Sequence, residues 1–257
     1  MRVAIIGCGA IGSTLAKYIA NGTVKADLVA VMDIVPEKCE KLTAVSRGVE
    51  VCSELECLLE KNPDIVVEAA SQEAVRRYVP RIVEKGVSVI VLSVGALLDE
   101  KLYSEIEELA RMKNVKIYMP TGAIAGIDAV KALALEKVHR VVLRTSKSHE
   151  ALGIEKGEDK LLYRGPASEA VRLYPANVNV AATLTLAAGM EATVEIWARR
   201  GLEVNVHEIE IESEASRVYV RVENKPHPSN PKTSYLAVLS AVRLLKQICE
   251  GGIIIGT

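Results

Sequence analysis

Strand and helix patterns alternate over the first 120 residues, and this rhythm restricts the possible folds more than any other feature of the chain. A fully apolar run at residues 2–6 is typical of a parallel strand buried on both faces. Helical spacing of Ile11, Leu15 and Ile19 follows at once. Further apolar strand segments lie at 27–33, 64–70, 87–92 and 115–119. The alternation predicts an α/β domain with a doubly wound parallel sheet over residues 1–120.

The pattern changes after Pro120. Four segments alternate apolar and polar residues, as strands of a mostly antiparallel sheet with one solvated face do, namely 139–148, 191–198, 204–212 and 216–223. Helical periodicity appears at 178–188 and again at 233–247. We therefore expect a second α+β domain over residues 121–230, with residues 231–257 packing back onto the first domain.

Composition excludes several classes of function. The chain has 257 residues with 32 Lys+Arg against 33 Asp+Glu, so no basic surface is expected to bind nucleic acid. No apolar run reaches the roughly 18 residues that span a bilayer, and the N-terminus does not resemble a signal peptide, so a cytoplasmic protein without membrane contact is expected. The five cysteines form no CxxC pair, which favours reduced, buried thiols and no metal site.

A glycine motif follows the first strand and opens the first helix, in the segment Gly7-Cys8-Gly9-Ala10-Ile11-Gly12. In this context GxGxxG is the dinucleotide-binding fingerprint of a Rossmann domain: glycine permits the tight turn, the approach of a pyrophosphate and the helix–strand packing. Asp33 ends the second strand, where a carboxylate accepts ribose hydroxyls. We predict cofactor contacts at Gly7, Gly9, Ala10, Ile11, Gly12 and Asp33. NAD is preferred, although Lys38 leaves use of NADP open.

Small residues follow two later strands at the same sheet edge. Ala69 and Ala70 lie at the carboxyl end of the strand at 64–70, and Ser93 comes after the strand at 87–92. Ligands of open α/β sheets bind along the carboxyl ends of the strands. We predict that these residues contact the cofactor, although ordinary turn chemistry explains the same composition.

A dehydrogenase needs a group that accepts or relays a proton near neutral pH, and the four histidines are the candidates. His139 and His149 lie in polar stretches and are interpreted as surface residues. His227 stands in a proline-flanked loop, which is either catalytic or a simple turn. His207 shares one face of a predicted strand with Asn205, a position that suits a catalytic group but also a structural one.

Two helix starts carry further candidate polar groups. Asn177 and Asn179 open the helix at 178–188, where either amide can cap the helix or orient a ligand. Lys232 and Thr233 are predicted to open the last helix, where N–H groups and a lysine charge could hold a substrate carboxylate. We take Asn179, Lys232 and Thr233 as candidate substrate contacts.

Five segments together resemble the L-aspartate dehydrogenase family. They are the glycine motif, Gly122-Ala-Ile-Ala-Gly-Ile-Asp128, Pro175-Ala-Asn-Val-Asn-Val180, Asn205-Val-His207-Glu-Ile and Glu223-Asn-Lys-Pro-His-Pro-Ser-Asn-Pro-Lys-Thr-Ser234. The resemblance implies NAD(P)-dependent oxidation of L-aspartate to iminoaspartate, which hydrolyses to oxaloacetate and ammonia and feeds NAD biosynthesis. It also implies that His207 is catalytic, that Ala123 and Asn177 contact the cofactor, and that a homodimer forms through the second domain. The charged segment at residues 152–165 departs from the family as an insertion or flap.

Three alternatives stay open at this point. Dihydrodipicolinate reductases and homoserine dehydrogenases have a similar two-domain build, although the paired-histidine motif of the former is not found. A non-catalytic NAD(H)-binding sensor would use the second domain only to dimerise. In that protein Asn205, His207 and Lys232 would be surface or capping residues.

Overall fold

The computed structural model describes residues 1–44, 46, 48–174, 179–228 and 230–253 of the chain. These residues form two compact units. One holds Met1–Pro120 and the C-terminal helix from Val238, and the other holds Thr121–Ala237. Across the described residues, no helix is both long and apolar enough to cross a membrane.

A six-stranded parallel sheet forms the first unit, from β1 (Arg2–Ile6), β2 (Asp27–Met32), β3 (Glu50–Cys52), β4 (Ile65–Glu68), β5 (Ser88–Val91) and β6 (Ile117–Tyr118). The strand order is β3-β2-β1-β4-β5-β6, so successive strands are added first on one side of β1 and then on the other. Val3, Ala4 and Ile5 are completely buried, as expected for a central strand covered on both faces. The predicted doubly wound parallel sheet is confirmed.

Helices connect the strands of this sheet: α1 (Ala10–Ala20), α2 (Glu40–Thr43), α3 (Leu55–Glu60), α4 (Gln72–Glu84) and α5 (Glu100–Lys113), with 3-10 turns at Pro36–Cys39 and Val94–Leu98. Side chains cap two of the helices. The Ser71 hydroxyl accepts a hydrogen bond from Ala74 N at 3.1 Å, and Asp99 accepts from Lys101 N at 3.1 Å. These caps satisfy backbone donors that the first helical turn leaves unpaired.

The second unit contains a five-stranded sheet, from β7 (Val138–Ser148), β8 (Lys160–Pro166), β9 (Thr193–Arg199), β10 (Asn205–Ser213) and β11 (Arg217–Asn224). Its order is β11-β10-β7-β9-β8. The β7–β9 pair is parallel and the other neighbours are antiparallel, which confirms the predicted mostly antiparallel sheet. A small hairpin pairs β12 (Pro226–His227) with β13 (Asn230–Ser234).

The remaining helices are α6 (Ile127–Leu133), α7 (His149–Leu152), α8 (Ala167–Leu173), α9 (Asn179–Ala188) and α10 (Tyr235–Glu250). The long helix α10 contributes to the core of the first unit. Its Ala241, Val242 and Leu245 pack in one cluster with Ile5 and Leu15. The core therefore includes residues from both ends of the chain.

Two expectations about the second unit are wrong. The segment at 152–165, read as a flap, contains most of the edge strand β8, which pairs with β9. Edge strands tolerate charged residues, so the charge did not indicate a loop here. Lys232 and Thr233 do not open the last helix but lie in β13. Because the hairpin uses this backbone, the helix begins only at Tyr235.

The expectation of reduced cysteines is also wrong for four of the five thiols. Cys8 is bonded to Cys39, and Cys52 is bonded to Cys57, with Cα–Cα distances of 5.1 and 5.6 Å. Cys249 is the free cysteine. Spacing along the chain did not predict the first pair because its residues approach only when β1 and the Pro36–Cys39 turn pack together.

Candidate active site

The glycine loop follows β1 and leads into α1. Gly7 has a positive φ of 102°, and a Cβ atom there would lie 2.5 Å from the Ala69 carbonyl oxygen. At Gly12 a Cβ atom would overlap the Gly7 carbonyl oxygen. At Gly9 it would meet no atom within 4 Å, so this glycine faces open space. Two glycines thus shape the turn, and the third leaves room for a ligand beside the helix N-terminus.

A cavity of about 370 Å³ lies in the first unit at the carboxyl ends of the strands. Five of the predicted cofactor residues line it, namely Gly7, Gly9, Asp33, Ala69 and Ala70. The other lining residues, none of them among the predicted cofactor contacts, include Ile34, Lys38, Glu73, Arg77 and Tyr78. The cavity combines a glycine cradle with two carboxylates, Asp33 and Glu73, and two cations. The cradle, Asp33 and the cations are groups that fit the adenosine and pyrophosphate parts of a dinucleotide.

Asp33 is held in place by the backbone. Its Oδ2 accepts a hydrogen bond from Cys8 N at 2.8 Å, and its Oδ1 accepts from Val35 N at 3.0 Å. The side chain is half-buried at the end of β2. A carboxylate oxygen has two lone pairs, so both oxygens can still accept hydrogen bonds from ribose hydroxyls.

Within the first unit, four predicted cofactor residues do not line this cavity: Ala10, Ile11, Gly12 and Ser93. Ser93 instead holds a carboxylate that the sequence analysis missed. Glu68 is completely buried at the end of β4 and accepts from Ser93 N at 3.0 Å and from Ser93 Oγ at 2.9 Å. It also accepts from Ala70 N and Ser71 N.

Burial raises the pKa of Glu68, while the hydrogen bonds from Ser93 and Ala70 act in the opposite direction. By bonding to the loops after β4 and β5, this one side chain joins the two loops, and the loop after β4 lines the cavity. A carboxylate at the end of the otherwise apolar strand Ile65–Glu68 was the available signal for it.

A polar patch lies on one face of the sheet in the second unit. We call it the His207 face and define it as Thr145, Lys147, Asn205, His207 and Asn224. His207 pairs across the strands with Thr145, and Asn205 pairs with Asn224. Lys147 is two residues from Thr145 along β7, so both side chains are on the same face. Each of the five residues is at most 5% exposed.

His207 is a neutral histidine. Its Nδ1 lies 3.0 Å from the Thr145 hydroxyl. Burial, followed by the nearby positive charge of Lys147, lowers the pKa of His207 to about 3. Burial also lowers the pKa of Lys147 to about 8. Near neutral pH the face therefore combines an uncharged imidazole with a lysine that is still mostly protonated.

The two asparagines differ in how they are satisfied. Asn205 Nδ2 donates to the Ser234 hydroxyl at 3.4 Å. Asn224 Nδ2 donates to the Ala123 carbonyl at 2.9 Å. Its Oδ1 is buried and has no hydrogen-bond partner within the part of the chain that the structure describes. Exchanging the two amide atoms of Asn224 would bring its Oδ1 against the Ala123 carbonyl oxygen, and two acceptors cannot form a hydrogen bond. The orientation of the Asn224 amide is therefore determined.

The other predicted residues are dispersed. Asn177 lies outside the described residues, as does the side chain of Lys232. Asn179 begins α9 and Thr233 lies in β13. Ala123, predicted to contact the cofactor, is buried and accepts from Asn224 in the second unit. The described residues contain no group of three or more His, Cys, Asp or Glu side chains that could hold a metal ion.

The remaining histidines occupy different environments. His139 is exposed, as predicted. His149 was predicted at the surface but is 6% exposed, with Nε2 3.1 Å from the Glu158 carbonyl oxygen. The polar neighbours misled the prediction, because the backbone of the following loop supplies the hydrogen bond that permits burial. His227 is buried edge-to-face against Tyr235.

Comparison with known proteins gives matches along both units. Residues 128–248 match the family described as "Aspartate dehydrogenase, C-terminal", and residues 7–120 match that described as "Homoserine dehydrogenase, NAD binding domain". The L-aspartate dehydrogenase of Methanosarcina barkeri is 44% identical, with 96% of this chain and 97% of that protein covered. The L-aspartate dehydrogenase of Methanocaldococcus jannaschii is 38% identical, with 97% of each chain covered.

Solved structures agree with these matches. The crystal structure of aspartate dehydrogenase from Thermotoga maritima gives a TM-score of 0.81 at 28% identity and covers 100% of this chain and 99% of its own. A dihydrodipicolinate reductase from Paenisporosarcina gives a TM-score of 0.57 at 14% identity, covering 97% of this chain and 95% of its own. The second likeness is one of fold alone.

Proposed function

The chain belongs to the L-aspartate dehydrogenase family, and on this basis we propose that it oxidises L-aspartate to iminoaspartate with a nicotinamide dinucleotide. Besides family membership, the polar groups of the His207 face support this proposal. This face presents a buried, neutral imidazole together with a buried lysine and an amide oxygen that has no donor among the described residues. These groups match a substrate that carries an ammonium group and carboxylates.

Residues of the first unit would hold the cofactor. The N-terminus of α1, beside Gly9, suits the pyrophosphate, and Asp33 suits the hydroxyls of the adenosine ribose. When bound, the dinucleotide supplies the nicotinamide ring that accepts hydride from the substrate α-carbon. Asp33 favours NAD over NADP because its charge repels a 2′-phosphate. Lys38 and Arg77 line the same cavity and would moderate that preference.

His207 would take the proton that the reaction releases. The substrate amine enters as ammonium and must lose a proton before its α-carbon can be oxidised. We assign the Nδ1–H tautomer, in which the ring donates to the Thr145 hydroxyl and Nε2 keeps a lone pair for the ammonium proton. The balanced outcome is iminoaspartate, reduced dinucleotide and one proton, after which water converts the imine to oxaloacetate and ammonia.

Two further inferences from the family stay predictions. Release of iminoaspartate suits a role in supplying the synthesis of NAD. Pairing of two copies through the second unit would give the homodimer that the resemblance implies. Measurement of the molecular mass in solution would test the latter directly.

Mixing the purified protein with NAD and L-aspartate tests the activity itself. We expect reduced nicotinamide to appear with L-aspartate and not with D-aspartate, L-glutamate, L-homoserine or L-alanine. Reduction with L-homoserine alone would favour the homoserine dehydrogenase alternative. Binding of NAD without reduction in the presence of any of these substrates would favour the cofactor sensor.

We expect Asp33→Ser to shift cofactor preference toward NADP. The variant loses charged hydrogen bonds to the ribose, each worth roughly 1.5–3 kcal/mol, and also loses the repulsion of a 2′-phosphate. Its kcat/KM for NAD should fall by roughly 10- to 100-fold, while its kcat/KM for NADP rises. Steady-state kinetics with both cofactors at saturating L-aspartate would measure this ratio.

The matched control is Lys38→Ala, in the same cavity. It should weaken the use of NADP and leave NAD kinetics nearly unchanged. Because Asp33 also bonds to Cys8 N and Val35 N, the melting temperature of each variant should be recorded. An unchanged NADP to NAD ratio in a folded Asp33→Ser protein would contradict the assignment.

A further inference from the structure

Lys147 is a buried cation that the sequence analysis did not select. It lies on β7 within the His207 face and is 5% exposed. The pairing of Val206 with Ser146 places it one residue further along, beside Asn205 on the neighbouring strand. A lysine is seldom buried to this degree without a functional or structural reason, because removing its charge from water is costly.

Arg144 and its two carboxylate partners lie on the other face of this sheet. Glu195 Oε2 lies 3.2 Å from Arg144 Nε, and Glu210 Oε2 lies 3.6 Å from Arg144 Nη2. Because side chains alternate along a strand, Arg144 and Glu210 point away from the side that carries Thr145, Lys147 and His207. The carboxylates of that arginine network thus do not share the His207 face with Lys147.

Asn224 provides a second and independent indication of a ligand on this face. It is 2% exposed, and within the described chain its Oδ1 has no donor. Leaving a buried acceptor unsatisfied costs free energy, so such an atom calls for a donor from a ligand or water. Lys147, Asn205 and Asn224 lie on three adjacent strands, β7, β10 and β11, and form one row across the face.

We propose that Lys147 binds a carboxylate of the amino-acid substrate, with the substrate ammonium directed toward the Asn224 Oδ1 and His207. This inference rests on the proposed function for the identity of the substrate, but the carboxylate site itself does not depend on turnover. It replaces Lys232, whose expected position at a helix N-terminus is not found.

The same contact would affect His207. The positive charge of Lys147 is the second cause, after burial, of the low pKa of His207. A carboxylate bound to Lys147 offsets that charge and so raises the pKa of His207 while the substrate is present. The histidine therefore becomes a better proton acceptor when a carboxylate-bearing substrate is bound.

The test compares Lys147→Met with the wild type, each saturated with NADH, by titration calorimetry with succinate as the probe. Methionine is an unbranched side chain only one heavy atom shorter than lysine, and it removes both the positive charge and the N–H donors. We expect affinity for succinate to fall by roughly 10- to 100-fold while affinity for NADH stays unchanged. In turnover, KM for L-aspartate should rise by a similar factor and kcat should change less.

Three controls make the result specific. Lys160→Met removes an exposed lysine from β8 of the same sheet and should leave both affinities unchanged. Lys147→Arg retains the positive charge and should restore part of the succinate affinity. Lys147→Gln provides a second neutral variant should the methionine protein fail to fold, as judged by its melting temperature.

Competition with L-asparagine distinguishes the two substrate carboxylates. If Lys147→Met lowers the affinity for L-aspartate but not the affinity for L-asparagine, the lysine binds the side-chain carboxylate. Equal losses of affinity for the two amino acids would show that Lys147 binds the α-carboxylate. Either result supports the proposal. Retained succinate affinity, or a lower kcat with unchanged KM, would overturn it in favour of a structural or proton-transfer role. A wild type that binds succinate but does not oxidise L-aspartate would contradict the proposed function and not the carboxylate site.

Discussion

Replacing His207 with alanine should lower kcat for the oxidation of L-aspartate by roughly 10²- to 10⁴-fold, the usual contribution of a general acid or base. The reason is that the substrate ammonium loses its proton acceptor while the α-carbon is being oxidised. Binding of NADH should be unchanged, because the cavity assigned to the dinucleotide is lined by residues of the first unit. Rapid-mixing measurements of nicotinamide reduction would separate this chemical step from product release.

A second variant separates catalysis from packing. His207→Asn retains a side-chain group near the position of Nδ1 that can bond to the Thr145 hydroxyl, but it provides no base. We expect it to be as inactive as His207→Ala and closer to the wild type in stability. His139→Ala, an exposed position, should behave as the wild type. Full turnover by either His207 variant would show that another group accepts the proton.

The second large effect concerns the glycine loop. Gly12→Ala places a Cβ atom against the Gly7 carbonyl oxygen, so α1 must move away from β1. Forcing atoms into packed structure of this kind costs on the order of 3 kcal/mol. We expect the melting temperature to fall by roughly 10 °C and NADH binding to be lost, because the cradle for the pyrophosphate is displaced.

Gly9→Ala is the matched control for this effect. Its Cβ atom meets no protein atom within 4 Å, and φ at this position is −75°, which alanine adopts without strain. The variant should melt like the wild type, yet its dissociation constant for NADH should rise by about tenfold or more because the methyl group occupies ligand space. Calorimetric melting and fluorescence titration would measure the two quantities separately. Equal stability losses in both variants would contradict the roles assigned to these glycines.

Most elements of the first unit could be predicted because their signals are local. An apolar run such as Val3–Ile6 reports burial on both faces, and Ser71 and Asp99 mark helix starts through hydrogen bonds to residues two or three positions ahead. The 3-10 turn at Val94–Leu98 was missed because its apolar residues have no distinct periodicity. The edge strand β8 was missed because its charges suit solvent exposure as well as a loop.

The candidate site was predicted less completely than the fold. The glycine motif and Asp33 follow from spacing within one strand–helix–strand unit, so the sequence indicated them directly. His207 was selected with the help of family resemblance, since a histidine on a strand has no distinguishing local pattern. Glu68, Lys147 and Asn224 were not selected, because their importance comes from burial and from partners that the linear chain does not reveal.

The sequence by itself determined the alternation of strands and helices in the first unit, the glycine turn and the class of cofactor, because these depend on residues a few positions apart. Only the tertiary structure joined Cys8 to Cys39, set the Thr145 hydroxyl against His207 across 62 residues, and left the Asn224 oxygen buried without a donor among the described residues. Hydrogen bonding and pKa depend on which groups meet and on how much water is excluded. Those quantities are decided when distant strands pair.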